Sequence, residues 1–415
     1  MKRALVLSGG GSRGAYECGA WQALKEMNIR IDGVYGTSIG AINAALVAQG
    51  DLDTAVQLWN NIRLNQIIDV EEEEDFNIDR MLSGMRDLIP FLIENAKNFR
   101  MDISPLVKLV HETIDEGRIR ASGMDFGVML TRFPQLSGVE VRLSDIPQGR
   151  LEDYLIASAS CFPVFPIKNI DGERYIDGGF ADNMPVGMAI ADGADEIIGV
   201  DIHPQPVHPE YLCMPFMKLI HPLHELGGFL DFNPELLRRS RLMGYYDTMK
   251  AYGHFDGVRY TFQRVSDLKL SELARRYVLR IARFDARMVG RGDDAVLIGA
   301  IGAETPARRL SWKDSLLRGV ELCAQAFGFR EDAVYEFDTL TKRMLDYARA
   351  HAELTELPSD RSIAEAARGG SRGLAVHLYS AMRWDGDFIN RCAKKLSDYP
   401  METAAAMLLN TLEDQ

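Results

Sequence analysis

Apolar and polar positions fall into two textures along this chain. Over the first two hundred residues, short apolar runs at 4–7, 29–35, 126–131 and 196–202 are separated by stretches of three- and four-residue apolar spacing. Residues 15–27, with Ala20, Leu24 and Met27, and residues 41–49 are of the second kind. The short runs suit strands covered on both faces, and the spaced stretches suit helices. Strands interleaved with helices predict parallel pairing, so the expected fold is α/β, a doubly wound, mostly parallel sheet. After His203 the texture changes. Residues 203–232 are rich in Pro, His and Met and predict little regular structure. Helical spacing then dominates over 236–249, 271–289, 311–327, 338–354, 362–368 and 375–412, with strand-like runs at 257–263 and 295–301. These textures predict an α/β domain over 1–204 and a mainly helical region over 205–415.

Composition narrows the function without naming it. The 415 residues are 47% apolar and 26% charged, which excludes disordered, collagen-like and disulfide-framework classes. Lys+Arg 47 against Asp+Glu 60 leaves a net charge of −13, so the chain as a whole should repel nucleic acid and anionic bilayers. Only a local basic patch would reverse that. Cys18, Cys161, Cys213, Cys323 and Cys392 form no C-x-x-C pair, which points to reduced thiols and no structural zinc. A glycine turn directly after Ser8 leaves no room for a signal segment, and no apolar stretch reaches the ~18 residues of a membrane span. A soluble, cytoplasmic protein is expected. The acidic run at 71–75 reads as a solvated loop.

Three serines stand in a G-x-S-x-G frame: Ser12, Ser38 and Ser371. The pattern alone is weak, because a nucleophile elbow also needs a strand entering and a helix leaving. Ser371 follows a helical run and reads as a helix–helix turn. Ser38 has the right context: residues 31–35 enter, Gly36 and Gly40 permit a tight turn, and small residues at 41–45 let a helix pack beneath it. Ser12 also sits between strand and helix. Its surroundings, Gly9, Gly10, Gly11 and then Gly14, suit exposed backbone N–H groups and hence an anion cradle.

The same loop spells G-x-G-x-x-G through Gly9, Gly11 and Gly14, so a dinucleotide site is the rival reading. Asp32, 18 residues after Gly14, is a tolerable ribose-binding acid by distance, but it precedes the end of the second strand. Acyl transfer makes joint use of both turns. Ser38 would be the nucleophile and the Gly9–Gly11 amides the donors for a developing oxyanion, since both loops emerge at the carboxyl edge of a parallel sheet. No histidine combines a strand-end turn with a nearby acid except His203 beside Asp201. The pair His221 and His224 has metal-like spacing without an evident third ligand. Asp177, at a strand end before Gly178 and Gly179, is the better partner, though in isolation it reads as an ordinary Asx turn.

Four linked segments together carry a resemblance: GGGSRG, GTSIG, ASASCFPVFP at 157–166 and DGGFADNMPV from Asp177. Their order and strand contexts resemble the patatin-like phospholipases over about residues 4–203. The resemblance implies a Ser–Asp dyad of Ser38 and Asp177 acting on lipid acyl esters, as a phospholipase A or a lysophospholipase would. It implies an oxyanion hole at Gly9, Gly10 and Gly11, and an Arg13 that holds the loop or meets a phosphate. It calls for no metal or cofactor and says nothing about 204–415. With an ordinary carboxyl pKa of about 3.9, Asp177 would be a weak base, so positioning and the oxyanion hole would carry much of the catalysis.

Lipid contact has two sets of candidates. One is apolar: Leu82, Met85, Leu88, Ile89, Phe91, Leu92 and Ile93 around Pro90, and Met214, Phe216, Met217, Leu219, Leu223, Leu226, Phe229, Leu230 and Phe232 further on. Either cluster would line an acyl pocket or a lid, or be ordinary core. The other is an arginine stripe, Arg276, Arg280, Arg283, Arg287 and Arg291, beside an apolar face of Leu273, Tyr277, Ile281, Phe284 and Met288. It would serve as an interfacial helix or as the ion-paired rim of a packed one.

Overall fold

The computed structural model describes residues 1–69, 101–304, 310–354 and 357–414. The apolar runs near the N-terminus are β1 (Arg3–Leu7) and β2 (Gly33–Thr37), and they join β3 (Asp125–Arg132), β4 (Ser137–Arg142), β5 (Lys168–Ile170), β6 (Glu173–Asp177), β7 (Glu196–Val200) and β8 (Met217–Ile220) in one sheet. Its order is β5-β6-β3-β2-β1-β7-β8, with β4 paired to β3. The stretch from β3 to β8 is parallel, whereas β4 and β6 run antiparallel to β3 and β5 runs antiparallel to β6. The doubly wound, mostly parallel architecture is therefore present, with an antiparallel flank that the apolar runs did not announce.

Helices cover both faces. They are α1 (Gly14–Glu26), α2 (Ile39–Ala48), α3 (Leu52–Asn61), α4 (Ser104–Thr113), α5 (Glu116–Ala121), α6 (Leu151–Ser158), α7 (Val186–Ala191) and α8 (Pro234–Ala251). Ala4 and Val6 of β1 pack with Val186, Met188 and Ala189 of α7. Leu5 and Leu7, equally buried, alternate to the opposite face.

On β3 the pairing puts two strands end to end. Residues 125–129 pair with β2, residues 130–132 pair with β6, and β4 pairs with 127–132 throughout. Since β4 occupies one edge of β3, β2 and β6 must share the other. They run toward each other and meet where Thr37 is opposite Met129 and Asp177 is opposite Leu130.

The compact units are Met1–Ala251 and Tyr252–Gln415, not a break near 205. Two features carry the first unit past 205. Strand β8 extends the sheet inside a segment whose Pro and His content suggested no regular structure. Helix α8 lies against α1 at backbone distance: a Cβ on Gly244 would meet the Tyr16 carbonyl oxygen at 1.9 Å, and one on Gly19 the Arg241 oxygen at 1.8 Å. Tyr16 donates to Asp247 at 2.7 Å and Arg241 to Gln22 at 2.8 Å across the same pair.

The second unit is mainly helical: α9 (Asp267–Val289), α10 (Val296–Gly302), α11 (Trp312–Phe327), α12 (Phe337–Ala350), α13 (Asp360–Arg368), α14 (Ser371–Trp384), α15 (Phe388–Arg391), α16 (Ala393–Leu396) and α17 (Pro400–Glu413), with short strands β9 (Phe255–Asp256), β10 (Thr261–Gln263) and β11 (Val334–Tyr335). The long helix expected over 375–412 stops at Trp384, before Asp385 and Gly386; the short α15 and α16 follow, and α17 starts at Pro400, a favoured first helical residue. The run at 295–301, read as a strand, is helix α10. The buried Asp285 carboxylate accepts from the N–H of Leu297 at 3.1 Å and of Ile298 at 2.6 Å, so a residue on α9 caps it. Among the described residues, no helix is long and apolar enough to cross a membrane. The apolar cluster around Pro90 and the acidic run at 71–75 lie outside the described residues.

Candidate active site

Ser38 stands at the junction of β2 and α2 with φ 55° and ψ −125°, a conformation that a non-glycine residue adopts only under constraint. The frame supplies that constraint. A Cβ on Gly36 would lie 2.3 Å from the Gly40 oxygen, and one on Gly40 would lie 2.5 Å from the Leu7 oxygen, so neither position admits a side chain. The Ser38 N–H donates to Ser158 Oγ at 2.8 Å, and Ser158 Oγ donates to the Met129 oxygen at 2.8 Å, which ties the turn to α6 and β3.

The meeting of β2 and β6 puts Asp177 against Ser38. Ser38 Oγ donates to Asp177 Oδ2 at 2.6 Å, and the Gly179 N–H donates to Asp177 Oδ1 at 2.8 Å. Both side chains are buried, each 5% exposed. Burial raises the Asp177 pKa from 3.8 to about 6, against the pull of the Ser38 and Gly179 hydrogen bonds. Asp177 is thus a stronger base than the ordinary carboxylate expected from the sequence, and it is still mostly ionised at pH 7.

The glycine loop sorts its donors. The Gly9 N–H is bonded to Asn183, to its main-chain oxygen at 3.1 Å and its Oδ1 at 3.2 Å, so it is engaged and does not stand open as an oxyanion donor. Among the described residues, the Gly10 and Gly11 N–H groups donate to no protein acceptor. Gly11 has φ +61°, and a Cβ there would lie 2.1 Å from the Phe229 oxygen. Ser12 is turned away from any base: its Oγ donates to the Gly228 oxygen at 2.8 Å and its N–H to the Phe229 oxygen at 2.9 Å. Arg13 Nε donates to the Gly227 oxygen at 2.8 Å, which pins the same segment. Of the two roles implied for Arg13, loop holding has a bond to carry it.

Other candidates fall elsewhere. Ser371 opens α14 just after α13, so its glycine frame is a helix–helix turn. Asp32 lies at the amino end of β2, bonded to the Arg3 N–H at 2.9 Å, on the edge of the sheet opposite the glycine loop. That placement removes the ribose-binding acid from the dinucleotide reading. His203 is bonded to Asp201 and Asn183 rather than to Ser38. In the second apolar cluster, Phe216, Met217 and Leu219 pack onto core beneath the sheet, and Leu226 and Phe232 are buried.

Within the second unit, the apolar face of α9 is core, and the arginines beside it are largely bonded to the chain's last helices. Arg276 donates to the Asp414 and Thr411 oxygens, Arg280 to Thr411 Oγ1 at 3.0 Å and Asp414 Oδ2 at 2.7 Å, Arg287 to Asn390 Oδ1 at 2.6 Å and Arg291 to the Asn390 oxygen at 3.4 Å. Arg283 is exposed. Arg276 thus answers carbonyls at the C-terminus of α17, whereas Arg287 and Arg291 reach α15.

Residues 5–190 match the family described as Patatin-like phospholipase. They form a patatin-like phospholipase domain. Lysophospholipase NTE1 of Mycosarcoma maydis is 27% identical over 212 residues, covering 49% of this chain and 10% of that protein. Patatin-like phospholipase domain-containing protein 7 of Rattus norvegicus is 27% identical over 205 residues, covering 48% of this chain and 13% of its own. A cUMP-AMP-activated phospholipase of Escherichia coli is 25% identical over 237 residues, 49% of this chain and 66% of that one. The match therefore spans a small part of the first two and about two thirds of the third. Among solved structures, VipD from Legionella pneumophila aligns over 99% of this chain and 90% of its own at 14% identity, with a TM-score of 0.38. The family match ends at residue 190, before β7, β8 and α8, which complete the first unit.

Three further polar residues touch the Ser38–Asp177 pair or the glycine loop. Ser158 and Ser160 lie inside the ASASCFPVFP segment. Ser158 accepts the Ser38 N–H, and the Ser160 oxygen accepts the Asp177 N–H at 2.9 Å. Asn183 follows the DGG turn. A short polar residue inside an apolar segment was the available signal in each case.

Proposed function

We propose that this protein is a serine-dependent hydrolase of lipid acyl esters, of the phospholipase A or lysophospholipase type, working through the Ser38–Asp177 dyad. The observation that carries the proposal is the 2.6 Å hydrogen bond from Ser38 Oγ to a buried carboxylate at a strained strand-to-helix turn. Asp177 accepts the Ser38 proton as the hydroxyl attacks the ester carbonyl, gives that proton to the departing alcohol, then takes one from the water that attacks the acyl-enzyme and returns it to Ser38 Oγ as the acid leaves. The Gly10 and Gly11 N–H groups are the donors assigned to the oxyanion, with Gly9 and Arg13 holding their loop. Residues 1–204, as the sequence divides the chain, hold every member of this site. No step in this sequence calls on a metal or cofactor.

A fluorophosphonate probe, which reacts only with an activated serine, tests the proposal. It should label Ser38 in the parent, and labelling at Ser12 would refute it. A panel of acyl esters of graded length, with and without phosphate head groups, then separates phospholipid from simple ester hydrolysis. Peripheral lipid contact through Arg276, Arg280, Arg283 and Arg287 is a separate matter. The bonds of Arg276, Arg280 and Arg287 to the C-terminal helices favour a structural role, and vesicle binding by charge-reversed variants decides it.

A further inference from the structure

We infer that Asn183, held by His203 and Asp201, is the positioning residue that sets the glycine loop against the dyad; the inference rests on the hydrolase reading above. The three residues follow different strands, Asn183 in the turn after β6 and the other two after β7, and they form one polar chain. The Asp201 carboxylate is fully buried: Oδ1 accepts from the His203 N–H at 3.1 Å and from its Nδ1 at 2.7 Å, and Oδ2 accepts from the Val207 N–H at 2.7 Å. With the ring proton on Nδ1, His203 Nε2 is an acceptor, and it lies 2.6 Å from Asn183 Nδ2, which can only donate.

That contact leaves the amide one orientation, with Oδ1 toward Gly9, whose N–H it accepts at 3.2 Å. The reversed amide would oppose donor to donor at Gly9 and acceptor to acceptor at Nε2. The Gly9 N–H is shared with the Asn183 main-chain oxygen at 3.1 Å, and the packing around Oδ1 is close. A Cβ on Gly9 would lie 2.4 Å from Asn183 Oδ1 and 2.9 Å from Ser38 Cβ. One on Gly179 would lie 2.8 Å from the same oxygen and 3.1 Å from Asp177 Oδ1. One amide oxygen therefore packs against both the loop that offers the Gly10 and Gly11 N–H groups and the turn that carries Asp177. Its effect belongs to the transition state, when the oxyanion forms, and so to kcat rather than KM.

The test is steady-state hydrolysis of a soluble short-chain ester by N183A, H203A, H203Q and the double variant N183A/H203A. Misplacing the loop by about 1 Å should lower kcat of N183A by roughly 10–100-fold with KM little changed. H203A should lose less. H203Q should recover most of that loss, because the Gln Oε1 accepts from the Asn183 amide, whereas a proton-transfer role for His203 would not be rescued. The double variant should be no slower than N183A, since the two residues act through one another. Parent-level kcat in N183A, additive losses in the double variant, or an H203Q as slow as H203A would each overturn the inference. Should N183A fail to fold, H203A against H203Q decides alone. S38A run alongside separates the two readings: its continued activity would sink the hydrolase proposal, whereas an inactive S38A beside a fully active N183A would sink only the positioning role.

Discussion

Ser12 and Ser38 share a glycine frame, a strand before and a helix after, and both are buried. They differ in what lies across the turn. Ser38 faces Asp177, brought in by a strand that meets β2 head-on along β3, so its proton has somewhere to go. Ser12 faces the Gly228 carbonyl, which accepts a hydrogen bond and cannot accept a proton. The frame makes a sharp turn in both, and at Ser38 the strand end opposite supplies a carboxylate acceptor.

The largest expected effects break this contrast outright. S38A should lower ester hydrolysis by roughly four orders of magnitude and abolish fluorophosphonate labelling, while S12A keeps most activity. D177N should match S38A, and the double variant should be hardly slower than either single one, because the pair acts as a unit. Removing Ser12 Oγ leaves a carbonyl short of a donor, a loss of about 1 kcal/mol that a small fall in Tm reports. Comparable inactivation by S12A would erase the distinction.

The pH profile sharpens it. With Asp177 pushed up to about 6, kcat/KM should rise with pH below that value and level off above it. A histidine base would give a similar curve, so the discriminating measurement is the profile of H203Q, which should keep the same inflection. Stability runs the other way. Between pH 3.8 and about 6 the folded carboxyl holds a proton that the unfolded chain has lost, so stability falls as pH rises, and above 6 the full penalty is present. D177N removes that penalty and should be inactive yet raise Tm at pH 7. A D177N variant with a lower Tm would contradict the burial argument.

The frames themselves give a third comparison. G40A puts a Cβ 2.5 Å from the Leu7 oxygen and should cripple both activity and folding. Gly373, in the same place of the Ser371 frame, is exposed within α14 with nothing within 4 Å, so G373A should be silent in activity and stabilise by up to about 1 kcal/mol. The smallest effect belongs to the second unit. R280E sets a carboxylate against Asp414 Oδ2 and removes the donor to Thr411 Oγ1, so Tm should fall by roughly 2–4 °C with ester hydrolysis intact. Adding R283E and R287E should leave binding to anionic vesicles at the parent level. Vesicle binding lost at unchanged Tm would restore a membrane-facing stripe.

What the sequence by itself determined was local. Apolar runs of four to seven residues located β1, β2, β3 and β7. Three- and four-residue spacing located α1, α2, α8, α9 and α11, and glycine placement marked Ser38 as the elbow. It also brought Asp177 forward, as a strand-end acid before two glycines, and the family resemblance made it the partner. Where a short run was ambiguous, as at 295–301, the outcome depended on Asp285, a cap from another helix. Only the tertiary structure decided the rest, because strand pairing joins residues that no periodicity relates. Ser38 and Asp177 stand 139 residues apart and meet through consecutive partners on β3. Burial there, not the aspartate itself, lifts the carboxyl pKa to about 6. The engagement of the Gly9 N–H, the diversion of Ser12 and the bonding of Arg276 and Arg280 likewise follow from neighbours distant in sequence: Asn183, Gly228 and the end of the last helix.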